Sequence, residues 1–251
     1  MDWITTGLLA LGIGLPALLA VALFAAAARL QRLRWRRASL GLAAPGAVAP
    51  EVRATLDAAR PVLAALGFEF RYTTASEPTL VSDARALVIN DVYQHVEGHT
   101  HAIVTTNPDG PEAWSVLWIS QLRSGHVLAT VDCYQHHLVT TPSGWLVDDG
   151  YLGDPQASWQ RHLQRLPANL LAVVTDGVEF FHANKQAVDG FIDQCDKRGL
   201  MAPHGEHWAL RRRTALAHAL RLFIGRIKAA RARWLVPSLP GAGRVRNAPA
   251  S

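Results

Sequence analysis

The sequence predicts an α+β fold, an antiparallel sheet of about five to six strands covered by helices, attached to one N-terminal transmembrane helix. Three observations predict it. No charged residue occurs from Trp3 to Ala28. Between Phe68 and Val147, short runs rich in β-branched and aromatic residues follow one another across Gly-containing turns, too closely for crossover helices. On either side of that region, apolar residues recur at helical spacing.

The first element is the anchor. Only Thr5, Thr6 and Pro16 interrupt an otherwise apolar or glycine sequence. As a helix, Trp3–Ala28 rises roughly 39 Å against a hydrocarbon core of about 30 Å. Gly7, Gly12, Gly14 and Pro16 would weaken a soluble helix and are tolerated in lipid. The Gly7 and Gly12 spacing is not the small-residue motif of paired membrane helices, so no pairing is expected from it. A cleaved signal peptide would need a basic segment ahead of the apolar run, and Met1-Asp2-Trp3-Ile4 has none. The cations follow instead, as Arg29, Arg32, Arg34, Arg36 and Arg37, with Trp35 among them. They orient that end toward the cytoplasm. The expectation is a single-pass protein of the inner (cytoplasmic) membrane with its C-terminal domain in the cytoplasm. This layout resembles that of membrane-anchored bacterial proteins, and the resemblance implies no activity.

Residues 1–37 are thus read as anchor and basic flank, and 38–50 as a small, Pro/Gly-punctuated linker. A helix follows over 50–66, with Val52, Leu56, Ala59, Leu63 and Leu66 on one face, Pro61 as a kink or restart, and Gly67 at its cap. Phe68, Phe70 and Tyr72 alternate as a strand. Leu87–His95 and His99–Thr106 form a hairpin across Val96-Glu97-Gly98, and Trp114–Gln121 and His126–Tyr134 another across Arg123-Ser124-Gly125. His137–Thr141 and Trp145–Val147 flank Pro142-Ser143-Gly144 as a third. Helices are expected over 155–166 and 185–199, with 170–182 either strand or helix. Residues 51–203 make up this domain. Residues 204–235 read as a basic amphipathic helix, from about Glu206, with an apolar stripe of Leu216, Leu220, Phe223, Ile227, Ala230 and Trp234. Residues 236–251 read as a flexible basic tail.

Charge is segregated along this layout. Residues 39–203 hold 10 Lys+Arg against 18 Asp+Glu, whereas 204–251 hold ten cations against Glu206 alone. The +5 net charge therefore describes the ends, not the domain between them. An acidic domain would be repelled by an anionic bilayer to which both of its ends are attracted. The C-terminal helix is accordingly expected to fold back to the membrane and pin the domain at a second point. The membrane-surface residues expected are Arg29, Arg32, Arg34, Arg36, Arg37, Arg221, Lys228 and Arg231.

For chemistry the sequence offers one cluster. His99 and His101 share a strand face, as metal sites require, with Glu97 and Cys133-x-x-His136-His137 elsewhere in the region. A Zn or Fe site at His99, His101 and His136 is the alternative expectation; solvated histidines near turns are the plainer one. The spacing fits no metalloprotease signature, and no nucleophile elbow, phosphate loop or dinucleotide fingerprint occurs. No catalytic residue and no cofactor is therefore predicted. Cys133 and Cys195 lie far apart with no CxxC pair, which disfavours a secreted disulfide framework. No nucleic-acid-binding module is present to recruit the basic helix, and no small-molecule substrate is identifiable. The expectation is a non-enzymatic accessory, scaffold or interaction protein at the cytoplasmic membrane surface, its partners lipid and a membrane protein complex. A metal-binding sensor or metal-dependent enzyme is the alternative.

Overall fold

The computed structural model describes residues 3–44, 46–82, 87–106, 113–132, 144–148, 153–166, 173 and 175–235, with side chains described within Gly14–Ile224. The first helix, α1 (Trp3–Arg32), runs through Pro16 without a break. The chain then builds a seven-stranded sheet in sequential order: β1 (Leu40–Leu42), β2 (Phe68–Ser76), β3 (Val88–His95), β4 (Thr100–Thr106), β5 (Trp114–Gln121), β6 (Val127–Asp132) and β7 (Trp145–Asp148). Every neighbouring pair is antiparallel except β6–β7.

The fold class is α+β, and the sheet is larger than the five or six strands expected. Two departures lie at its edges. Leu40–Leu42, inside the segment read as a linker, pairs with Thr74–Ser76 as an edge strand. At the other edge, Val127 lies opposite Trp145 in parallel register, so β7 joins the sheet as a parallel strand beside β6. The expected strand His137–Thr141 lies outside the described residues.

Period-two alternation sorts the strands onto two faces. One is covered by α2 (Pro50–Ala65) and α3 (Pro155–Arg165). Leu56, Ala59 and Leu63 of α2 pack with Trp159 of α3 on Phe68, Ile89, Tyr93, Val104, Val116 and Trp118. Burying Leu56 and Leu63 stabilises by about 1.5–3 kcal/mol each. The helix α2 is continuous through Pro61, whose ring sits on an exposed face. It ends at Gly67, whose φ of 84° and close approach to the His95 ring admit no Cβ. On the opposite face, α4 (Gly177–Asp189) sets Phe180 against Val92 and Ile119. Asp154 and Asp176 cap α3 and α4 by accepting two backbone N–H bonds each.

A smaller core lies beside the sheet. It joins the last turns of α1 (Leu23, Ala27, Leu30), Trp35, α5 (Phe191–Lys197), a hairpin of β8 (Met201–His204) and β9 (His207–Leu210), and the first turns of α6 (Arg212–Leu235). The hairpin occupies residues read as the start of the terminal helix. The turn at Gly205, with φ of 63°, supplies the left-handed residue that lets the chain reverse there.

Candidate functional site

The structure contains one N-terminal helix long and apolar enough to span a membrane, and its described part is almost entirely unburied. Leu15, Leu18, Leu19, Val21 and Phe24 are exposed.

Its exit is built into the domain. Trp35 is 3% exposed, and it exchanges two backbone hydrogen bonds of 2.9 Å with Trp208. On the other side, Arg36 N–H donates to Thr79 O and Val81 N–H donates to Arg34 O. Ala38 and Leu40 are buried a few residues later. The residues just after α1 are thus a strand-like insert between two parts of the domain. The antiparallel Trp35–Trp208 bridge sets the end of α1 and the start of α6 side by side, so the two helices run back along each other. They meet through Ala27 on α1 and Ala215 and Ala219 on α6, and small residues let helix axes approach closely. Of the expected stripe, Leu216 is partly buried in this contact while Leu220 and Phe223 are exposed, next to exposed Ile224. Leu220, Phe223 and Ile224 therefore form an exposed apolar patch on the described part of α6.

The expected membrane-surface arginines divide into two groups. Arg34 donates to the carbonyl oxygens of Gln31 and Arg32 and lies 3.0 Å from His204 Nε2. Arg36 donates to Pro78 O, and Arg37 pairs with Asp193 at 2.6 Å beneath its cation–π contact on Trp208. These three tie the exit segment to the domain. The Arg37–Asp193 pair is half-exposed on both sides, so it contributes at most about 1 kcal/mol and mainly fixes position. Arg29, Arg32 and Arg221 are exposed and have no hydrogen-bond or ion-pair partner among the described residues. The side chains of Lys228 and Arg231 lie outside the described residues.

The histidine cluster resolves in part. His101, 2% exposed, lies flat on Phe180 with ring centroids 3.9 Å apart. Burial, then the nearby Arg71 charge, lowers its pKa to about 4, so the ring is neutral at pH 7. Its Nε2 and the Nδ1 of His99 are buried without a hydrogen-bond partner. His95 faces the opposite side of the sheet, against Phe68 and Trp159. His136, Cys133 and His137 lie outside the described residues. Among the described residues, no three His, Cys, Asp or Glu side chains converge as metal ligands do.

A second buried histidine had no signal in the sequence. His162 of α3 is fully buried, with Nε2 3.0 Å from Ser120 Oγ and Nδ1 2.9 Å from Thr130 Oγ1. Arg165 donates to Thr130 Oγ1 at 2.7 Å and to Ala129 O, and Ser120 Oγ lies 2.7 Å from Thr100 Oγ1. A serine–histidine pair at this distance has the spacing of a nucleophile and its base. Here both are sealed, Ser120 at 1% exposure, and burial with the Arg165 charge lowers the His162 pKa to about 3. Such a group is a poor base that substrate cannot reach, and the network holds α3 to β4, β5 and β6.

A cleft of about 890 Å³ lies between β1, β2 and α4. Lys185 bonds Asp189 and Leu40 O, and Asp189 accepts the Leu40 N–H. Lys185 and Asp189 are thus committed to holding β1 against α4, and Arg37 pairs with Asp193, while exposed Glu77 has no partner among the described residues.

No family model, no curated protein and no solved structure matches this chain.

Proposed function

We propose that the protein is a single-pass, non-enzymatic interaction or scaffold protein, which holds an acidic α+β domain rigidly against the cytoplasmic face of a membrane. The observation that carries this reading is the joint between anchor and domain. An exposed apolar helix passes without slack into buried Trp35, and α6 returns along it with Leu220, Phe223 and Ile224 outward. Those side chains continue the apolar surface of α1 and are suited to the headgroup–acyl boundary, with Arg221 reaching back to water. A domain needing only attachment would tolerate a flexible tether; here its orientation is prescribed. The sealed polar network around His162 and the Lys185–Asp189 clamp, both committed to structure, support presentation of a surface over catalysis.

The test is alkaline extraction of membranes carrying the full chain, followed by protease treatment of right-side-out and inverted vesicles. Retention in the membrane, with Asp154–Leu166 cleaved only in inverted vesicles, is expected. Release into the supernatant would remove the anchor, and cleavage in right-side-out vesicles would reverse the orientation.

A metal-binding role is the second reading, favoured by the unpartnered, buried nitrogens of His101 on β4 and of His99, which lies in the turn just before that strand and not in it as expected. With His136 it would place three imidazoles around a Zn or Fe ion. Elemental analysis of the full chain in detergent tests it. Stoichiometric metal that is lost in His99→Ala/His101→Ala supports the reading, and metal-free protein rules it out.

A further inference from the structure

We infer that the junction of α1 and α6 forms a basic collar that binds the anionic headgroups of phospholipids at the cytoplasmic leaflet, an inference that rests on the membrane placement just proposed. The collar joins Arg29 and Arg32, in the last turn of α1, to Arg212 and Arg213, in the first turn of α6. These pairs are remote in sequence. The Trp35–Trp208 bridge brings them together, because α1 ends three residues before Trp35 and α6 begins four residues after Trp208.

All four side chains are exposed, and none has a hydrogen-bond or ion-pair partner among the described residues. Most described arginines of the domain differ: Arg36, Arg37, Arg53, Arg71, Arg161 and Arg165 are each bonded to a carbonyl or a carboxylate, and Arg123, exposed and without a partner among the described residues, stands alone in the β5–β6 turn. Neither α1 from Trp3 onward nor α6 contains an acidic residue that could neutralise the collar from within. It also lies where the apolar surface of α1 ends. A plane of unmatched guanidinium groups at that level complements phosphate oxygens, which guanidinium binds with paired hydrogen bonds. The sequence reading set Arg29, Arg32, Arg34, Arg36, Arg37, Arg221, Lys228 and Arg231 at the membrane surface; Arg34, Arg36 and Arg37 hold partners in the structure, and the collar adds Arg212 and Arg213.

The experiment uses the full chain reconstituted in phosphatidylcholine bilayers containing a minor fraction of phosphatidylglycerol. Electron paramagnetic resonance with spin-labelled versions of each lipid gives their relative association with the protein. Wild type is expected to favour phosphatidylglycerol on the order of fivefold or more, and salt should reduce that preference. Arg212→Gln/Arg213→Gln should lower it at least twofold, and adding Arg29→Gln/Arg32→Gln should bring it close to one. Arg37→Gln, whose charge is matched by Asp193, should leave it unchanged. Equal association of both lipids with wild type would overturn the collar. So would an Arg212→Gln/Arg213→Gln variant with undiminished selectivity, because an ordinary cytoplasmic flank would then account for everything. Failure of the membrane reading itself would be visible beforehand, as release of the chain by alkaline extraction.

Discussion

Asp91 is completely buried on β3, yet α2 makes it tolerable. Arg53 grips both its carboxylate oxygens, and Thr73 Oγ1 donates to it at 2.7 Å. Removing one partner of such a pair leaves an uncompensated buried charge. Arg53→Met should therefore destabilise the protein by about 3–5 kcal/mol, read as a shift in its denaturant midpoint in micelles. The converse case is the neutral histidines. His101 and His162 bind a proton less readily folded than unfolded, with folded pKa values of about 4 and about 3. The unfolded chain takes up protons first as pH falls below roughly 6.5, so stability is complete above that pH and declines below it. Comparing wild type with His162→Gln isolates one of the two. The variant should be weaker at pH 7.5, and its loss of stability down to pH 4.5 should be smaller by about 2–3 kcal/mol. Equal pH slopes would mean that His162 is not held neutral. Neither group was legible in the sequence for what it is. His99 and His101 drew attention because they are neighbours in the chain, whereas His162 gains its role only when α3 lands on Ser120 and Thr130.

At the scale of elements, legibility followed local pattern. The α2 stripe, the hairpins β3–β4 and β5–β6, and the helix opened by Asp154 were all readable, because their periodicity and turn residues are local. The edge strand β1 was not, since Leu-Gly-Leu carries almost no pattern and its outer groups at Leu40 are satisfied by Lys185 and Asp189 of α4. Asp189→Ala should accordingly speed hydrogen exchange at the Leu40 amide while leaving Gly41, paired to β2, protected. The Asp189 carboxyl, held below its ordinary pKa by Lys185 and the Leu40 N–H despite some burial, keeps that clamp at neutral pH. The parallel pairing of β7 with β6 was not legible, because runs joined by short loops favour antiparallel neighbours; the expected partner His137–Thr141 lies outside the described residues. For α6, the stripe read from the sequence held Leu216, Leu220 and Phe223, yet the core shared with α1 takes Ala215 and Ala219, with Leu216 only partly buried against it. Ala219→Leu should overpack that contact and cost about 1–3 kcal/mol, whereas Phe223→Leu on the outer face should change stability by less than about 0.5 kcal/mol. Thermal unfolding in micelles compares the two.

For the whole molecule, the segregated charge of the sequence acquires a geometry. The acidic domain is fixed to an apolar helix whose exit is buried, and exposed cations without partners among the described residues gather where the two helices meet. Sequence reading anticipated a second point of attachment from charge alone. It did not anticipate that the joint would be stiff, since the segment after α1 looked like a linker and only the Trp208 and Thr79 backbones make it otherwise. The central claim is that α6 lies against lipid along the face bearing Leu220, Phe223 and Ile224. An environment-sensitive fluorophore at Phe223→Cys, with a second protein labelled at Glu97→Cys in the exposed β3–β4 turn, tests it in bilayers containing lipid-borne nitroxide quenchers. The account predicts strong quenching at 223 and weak quenching at 97. Equally weak quenching at both positions would contradict it, leaving the domain held to the membrane by α1 alone.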